Sequence, residues 1–159
     1  MEVDSIRAPI TAANFLRYVD QRFYDGGRVH RTVTPTNQPT NDVKIEVIQA
    51  GIDTARRRTG FPAIPLERTS VTGLSHTDGT ISMARSGPNT ATSDFFICIG
   101  DQRSLDFGGA RNADGQGFAA FGRVVRGMDV VKRIQGSPAA AQRLTPPISI
   151  RRAYRKAGS

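Results

Sequence analysis

Residues 79–98 read Gly-Thr-Ile-Ser-Met-Ala-Arg-Ser-Gly-Pro-Asn-Thr-Ala-Thr-Ser-Asp-Phe-Phe-Ile-Cys. Ile81 to Arg85 and Phe95 to Ile99 are apolar runs of strand length, and Gly87-Pro88-Asn89 lies between them. Glycine supplies backbone freedom and proline a fixed φ, so the pair marks a chain reversal. The stretch therefore predicts two strands joined by a turn, the second carrying the aromatic pair Phe95-Phe96.

Outward from this pair the same pattern repeats. Val29 to Val33 and Val43 to Gln49 read as strands, with the polar, proline-containing stretch from Thr34 to Asp42 as their loop. On the other side, Ser104 to Gly117 is a glycine-rich loop and Phe118 to Val125 a further strand. Pro138 to Pro147 reads as a linker and Ile148 to Tyr154 as a final strand. Two segments have helical spacing. Ala12, Phe15, Leu16 and Val19 share one face, with Thr11 as the expected N-cap; Met128, Val130, Val131 and Ile134 share another, ending at Gly136. Strands dominate, the helices are far apart, and no strand-helix-strand alternation or internal repeat occurs, so a closed or nearly closed antiparallel barrel is favoured over a doubly wound sheet.

The 159 residues fit one domain, 1–159. A hydrophobic share of 38% with 16 Gly and 9 Pro suits a turn-rich β protein, and no apolar run approaches the roughly 20 residues of a membrane helix. The formal charge of +8 comes in part from Arg56 to Arg58 and from Arg151, Arg152, Arg155 and Lys156. Such a field favours solubility and attracts anions. The first cluster lacks the interleaved aromatics of a single-strand binder and the second is interrupted by Ala153 and Tyr154, so nucleic acid is not the expected partner. Cys98 sits in an apolar run and reads as a packed core thiol. No charged segment followed by an apolar stretch precedes Asn14, so the sequence as it stands is expected in the cytoplasm; a longer precursor with an export signal would place it in the periplasm.

Residues 79 to 98 resemble the signature of the cyclophilins, a family of peptidyl-prolyl isomerases, and Phe15, Arg31, Gln49, Phe96, Leu105 and Phe121 find places in the same order. The resemblance covers about residues 8 to 154. It implies an eight-stranded antiparallel barrel capped by two helices, and rotation of Xaa-Pro bonds in peptides and in unfolded or folding proteins. Val29-His30-Arg31 resembles the Phe-His-Arg motif, which places Arg31 as the catalytic donor, and Val47-Ile48-Gln49 resembles the pocket strand, with Gln49 orienting Arg31. Val47, Phe96 and Leu105 would hold the proline ring, Ala84, Arg85 and Ser86 would meet the substrate backbone, and Asp94 and Phe118 complete the substrate-binding set. No metal or organic cofactor is implied; a cyclosporin-type ligand is, and a monomer is expected.

Several positions depart from the family. Glu46 stands where Phe is usual and is expected on the pocket rim, beside Arg31; Asp94 replaces Gln, Ser104 replaces the Trp of many animal members and Phe118 their His. The Thr34 to Asp42 loop is longer than the family's. Met1 lies only seven residues before Ala8, so most of the first strand is expected to be absent and to leave an unpaired edge. Two other readings stay open: a peptide-binding or chaperone module whose catalysis Glu46 and Asp94 have blunted, and a nucleic-acid binder acting through the basic surface. A Ser93-His76-Asp78 hydrolase triad lacks a nucleophile elbow, and Gly108 to Gly117 does not open a helix as a phosphate cradle would.

Overall fold

The computed structural model describes residues 1–156, apart from the side chains of Arg57 and Arg58, so the basic run there lies largely outside the described residues. The quoted stretch forms β4 (Thr80–Met83) and β5 (Phe95–Cys98), and every residue of both is buried. Alternation explains this, because successive side chains face opposite sides of a sheet. Ile81, Met83, Phe95 and Ile97 enter the main core, while Phe96 and Cys98 join a second apolar cluster on the other face.

The remaining strands extend this pair on both sides. They are β1 (Glu2–Val3), β2 (Arg28–Val33), β3 (Val47–Gly51), β6 (Ala120–Arg123), β7 (Ala139–Ala140) and β8 (Arg143–Ser149). The order is β1-β6-β4-β5-β3-β2-β8-β7 with antiparallel pairing throughout, an eight-stranded mainly β fold as expected. The two ends of the sheet, β1 and β7, do not hydrogen-bond to each other, so the curl is not closed. Each end strand is two residues long. Short edges offer little backbone for another chain to pair with.

Helix α1 (Pro9–Asp20) plugs one side of the curved sheet. Phe15 reaches its centre, with ring centroids 5.3 Å from Phe95, 5.1 Å from Phe121 and 5.3 Å from Tyr24. The Tyr24 hydroxyl donates to the Ser93 carbonyl at 2.7 Å, satisfying the buried phenol. Thr11 is not the N-cap; Ala8 holds that position without a side-chain bond, and Thr11 is fully buried. The cap comes instead from Glu67, whose carboxylate accepts the Ile10 and Thr11 amides at 3.1 and 2.7 Å and the Thr11 hydroxyl at 2.6 Å. A carboxylate at a helix N-terminus meets unpaired donors and the positive end of the dipole.

Two helices follow. α2 (Thr69–Thr72) is one turn that sequence spacing does not announce, and α3 (Met128–Gln135) packs Val131 against the sheet and stops at Gly136 as predicted. The Thr32 hydroxyl donates to the Gln135 carbonyl at 2.8 Å, tying α3 to β2. Val43 to Glu46 is extended loop rather than strand, since β3 begins at Val47. The expected linker from Pro138 to Pro147 is instead the β7-β8 hairpin, and the last strand ends at Ser149, not Tyr154. Prolines that cannot donate to a ladder are tolerated there because β8 pairs with β2 only around Val29 and Arg31, with a register shift between.

Replacing Glu67 by Ala strips three acceptor contacts from α1 and is expected to lower unfolding free energy by about 1–3 kcal/mol, with Glu67→Gln intermediate. Urea unfolding of the three proteins checks the order.

Candidate active site

A groove of about 540 Å³ opens on the second apolar cluster, and the ten site residues read from the sequence all line it. Strand register brings its core together. Arg31 lies opposite Gln49, Gln49 opposite Phe96, and Phe96 opposite Ser82, one transverse row over four strands. Residues directly opposite on antiparallel strands share a face. A β-bulge makes the row possible. Val29 pairs with Ala50 and Arg31 with Gln49, so His30 is the extra residue. In an unbroken ladder His30 would occupy the place opposite Gln49, and Arg31 would point to the core.

The Arg31 guanidinium is held from two sides by neutral acceptors. NH1 donates to Gln49 Oε1 at 2.9 Å, while Nε and NH2 donate to Gln142 Oε1 at 2.9 and 2.7 Å. Gln142 lies in the β7-β8 turn and donates its own amide to the Asn37 carbonyl at 3.0 Å. Burial first, and then the positive charge of Arg111, hold Arg31 below the usual arginine range. On the far side Gln49 Nε2 donates to Asp94 Oδ2 at 3.2 Å, and His30 Nε2 meets the same oxygen at 3.0 Å. Gly51 leaves room for this carboxylate, because a Cβ there would sit 2.2 Å from Asp94 Oδ1 and displace it.

Val47, Phe96 and Leu105 are 2, 5 and 1% exposed and form the apolar floor, with Ala84 and Phe118 packed beside them. Phe118 meets Phe96 edge-on at 5.3 Å and 89°. Beneath, the His76 ring stacks on Phe96 at 5.9 Å. Its Nδ1 meets Asp106 Oδ1 at 2.6 Å and its Nε2 meets Ser82 Oγ at 2.9 Å. Serine, histidine and aspartate thus line up, but His76 and Ser82 are fully buried behind Phe96, so the arrangement braces the floor rather than offering a nucleophile. Ser93 and Asp78 are elsewhere: Asp78 accepts the Gly100 amide at 2.7 Å. Cys98 is fully buried, and burial pushes its thiol well up, which makes it inert.

Arg85 lines the groove, but its guanidinium is committed to the neighbouring loop. It forks onto Asp114 at 2.8 and 3.0 Å, donates to the Gly117 carbonyl at 2.8 Å and covers the Phe118 ring. Ala84 and Ser86 form the edge beside it. Glu46 is not on the rim beside Arg31: its carboxylate accepts from Gln135 Nε2 of α3 at 2.9 Å, and Ile45 takes the place at the groove. The alternation of β3 explains the correction, since Val47 and Gln49 face the groove and the residue before Val47 faces away. Sequence reasoning missed Gln142, hidden in the supposed linker, Arg111, hidden in the glycine-rich loop, and the His76 brace. Only His30, inside its three-residue motif, carried a signal.

Comparison with known proteins gives one family. The family described as cyclophilin type peptidyl-prolyl cis-trans isomerase/CLD matches residues 1–155. A peptidyl-prolyl cis-trans isomerase of Acinetobacter baylyi is 37% identical over 87% of this chain, which spans 66% of that relative. One from Streptomyces antibioticus is 33% identical over 90% of this chain and 80% of its own length, and peptidyl-prolyl cis-trans isomerase B of Escherichia coli is 34% identical over 82 and 73%. A Cryptosporidium parvum cyclophilin crystallised in the presence of the dipeptide Ala-Pro superposes with a TM-score of 0.72 at 20% identity, covering 95% of this chain and 87% of that one.

Asp106 gives the site a pH signature. Burial would raise its carboxyl, but the bonds from His76 and Ser75 outweigh it and hold the group below the usual range. A depressed carboxyl stabilises the fold above its unfolded value of about 3.9, and that contribution disappears as pH falls through the folded value. Asp106→Asn is expected to be less stable by about 1–3 kcal/mol at neutral pH. The gap should narrow on acidification below about pH 4. Urea unfolding across that range reads it.

Proposed function

The chain belongs to the cyclophilin-type peptidyl-prolyl cis-trans isomerase family, and on that premise we propose that its groove binds exposed Xaa-Pro segments of peptides and folding proteins and rotates the bond before proline. The observation that carries this reading is the row in which an immobilised guanidinium stands beside an apolar floor of ring size.

Resonance across the C–N bond sets a barrier of ~18–20 kcal/mol, and nothing covalent has to change for it to be crossed. As the bond twists, the imide nitrogen loses conjugation and regains a lone pair, so a donor placed there binds the twisted state and not the planar one. Only such differential binding accelerates the step, tenfold for each ~1.4 kcal/mol. Arg31 fits because its donors are rigid and its charge persists at any ordinary pH. Val47, Phe96, Leu105 and Phe118 would grip the proline ring while the preceding residue turns. Gln49 holds one guanidinium nitrogen, and Asp94 holds the Gln49 amide so that its oxygen, not its nitrogen, faces Arg31.

The blunted-catalysis reading rested on Glu46 and Asp94. Glu46 is engaged with Gln135 on the far side of β3, and Asp94 is engaged with Gln49 and His30 rather than blocking the floor. A cyclosporin-type ligand would compete for the same surface.

Cis-trans exchange of a blocked Ala-Ala-Pro-Ala peptide, followed by NMR, is the test. Arg31→Ala is expected to lower kcat/KM by about 10²-fold, a loss of the size seen for one preorganised donor. Gln142→Ala should lower kcat severalfold with KM nearly unchanged, whereas Phe96→Ala should act mainly through KM. A folded Arg31→Ala protein that matches the parent rate overturns the mechanism.

A further inference from the structure

Among the described residues, four charged side chains line the groove, namely Arg31, Arg85, Asp94 and Arg111. Two are engaged where they stand. Arg85 is ion-paired with Asp114 at 2.8 Å, and the Asp94 carboxylate is within hydrogen-bond distance of His30 Nε2 at 3.0 Å and of Gln49 Nε2 at 3.2 Å. The other two have no carboxylate within ion-pair distance among the described residues, because the partners of Arg31 are the two glutamine oxygens and those of Arg111 are equally neutral.

Arg111 reaches the groove through the fold of the glycine-rich loop. The Gly108 amide donates to the Gly115 carbonyl at 2.8 Å and the Arg111 amide to the Ser104 carbonyl at 3.1 Å, closing the loop back on itself. Gly117 permits this with a φ of +66°, at a point where a Cβ would lie 2.6 Å from the Asp106 and Phe107 backbone. Arg111 NH1 then donates to Gln38 Oε1 at 2.8 Å and to the Val43 carbonyl at 2.6 Å. Nε and NH2 have no protein partner among the described residues. Both guanidinium groups are tethered to the same long loop, Arg31 through Gln142 to Asn37 and Arg111 to Gln38, so they converge on one end of the groove. Asp94 lies across Gln49 from Arg31, toward the other end.

We propose that this end of the groove is an anion subsite, in which Arg111 and Arg31 together bind the carboxylate of an Asp or Glu adjacent to the substrate proline, so that Arg111 selects acidic Xaa-Pro segments. The inference rests on the isomerase reading of the same groove. Two half-buried cations with neutral partners repel one another, and the positive charge of Arg111 bears directly on Arg31. A substrate carboxylate relieves that repulsion and engages the idle donors of Arg111, and charge-assisted bonds of this kind are about twice as strong as neutral ones. A glutamine in its place offers a neutral oxygen and relieves nothing.

Three blocked peptides, Ala-Glu-Pro-Gln-Ala, Ala-Gln-Pro-Glu-Ala and Ala-Gln-Pro-Gln-Ala, test this with the intact chain, both by NMR exchange and by calorimetric binding. One of the two glutamate peptides is expected to exceed the all-glutamine peptide by about three- to tenfold in kcat/KM and in affinity at low salt. The ratio should fall toward one near 1 M salt, where the screening length is ~3 Å. Arg111→Gln should abolish the ratio and Arg111→Lys should keep most of it. Because the ratio is taken within each protein, a loss of folded fraction cancels. Equal handling of all three peptides by the parent, or a preference that survives Arg111→Gln, overturns the proposal. Absence of exchange with every peptide would overturn the isomerase reading alone, since the binding ratios still decide the subsite.

Discussion

The β-bulge at His30 is the constraint from which the site follows. A strand alternates strictly, so of two consecutive residues only one faces a given side. The extra residue in β2 breaks that rule once, so that Arg31 lines the groove and bonds Gln49 while His30, its neighbour, bonds the groove residue Asp94. The same register shift appears where β2 meets β8, so it is bordered on both sides by paired strands and cannot slip independently. Downstream of it alternation resumes, with Val33 in the groove cluster and Thr32 turned toward α3.

The second physical theme is neutrality around a working charge. A carboxylate of the fold itself, fixed beside Arg31, would occupy its donors whether or not substrate is bound. Glutamine oxygens hold the guanidinium in place with less attraction and leave its charge uncompensated for the ligand. The contrast with Arg85 is instructive: a forked ion pair with Asp114 turns a chemically identical side chain into a strut that keeps the 114–118 loop against Phe118. The His76 brace does comparable service beneath Phe96, with every polar atom partnered inside the fold.

Much of the architecture is legible locally. The two strands around Gly87-Pro88 and the helix over Met128 to Gln135 announce themselves through period and punctuation, and the structure places them within a residue or two. Failures occur where a partner distant in sequence supplies what local chemistry seemed to supply. Thr11 looks like a cap, yet Glu67, 56 residues away, does the capping. Pro138 to Pro147 looks like a linker because prolines interrupt it, yet sparse pairing with β2 lets it be a strand and brings Gln142 onto Arg31, 111 residues away. Glu46 looks like an obstacle until the pleat of β3 turns it to Gln135.

Sequence by itself determined the fold class, the central strands and, through the resemblance carried by residues 79 to 98 and the motifs around Arg31 and Gln49, ten of the residues that line the groove, because hydrophobic period, turn chemistry and motifs are properties of neighbours along the chain. Tertiary structure alone decided which of those residues are free to act. Whether an arginine is a donor, a strut or an anion site depends on the acceptors packed around it, and those arrive through strand register and loop closure from positions that no local pattern connects.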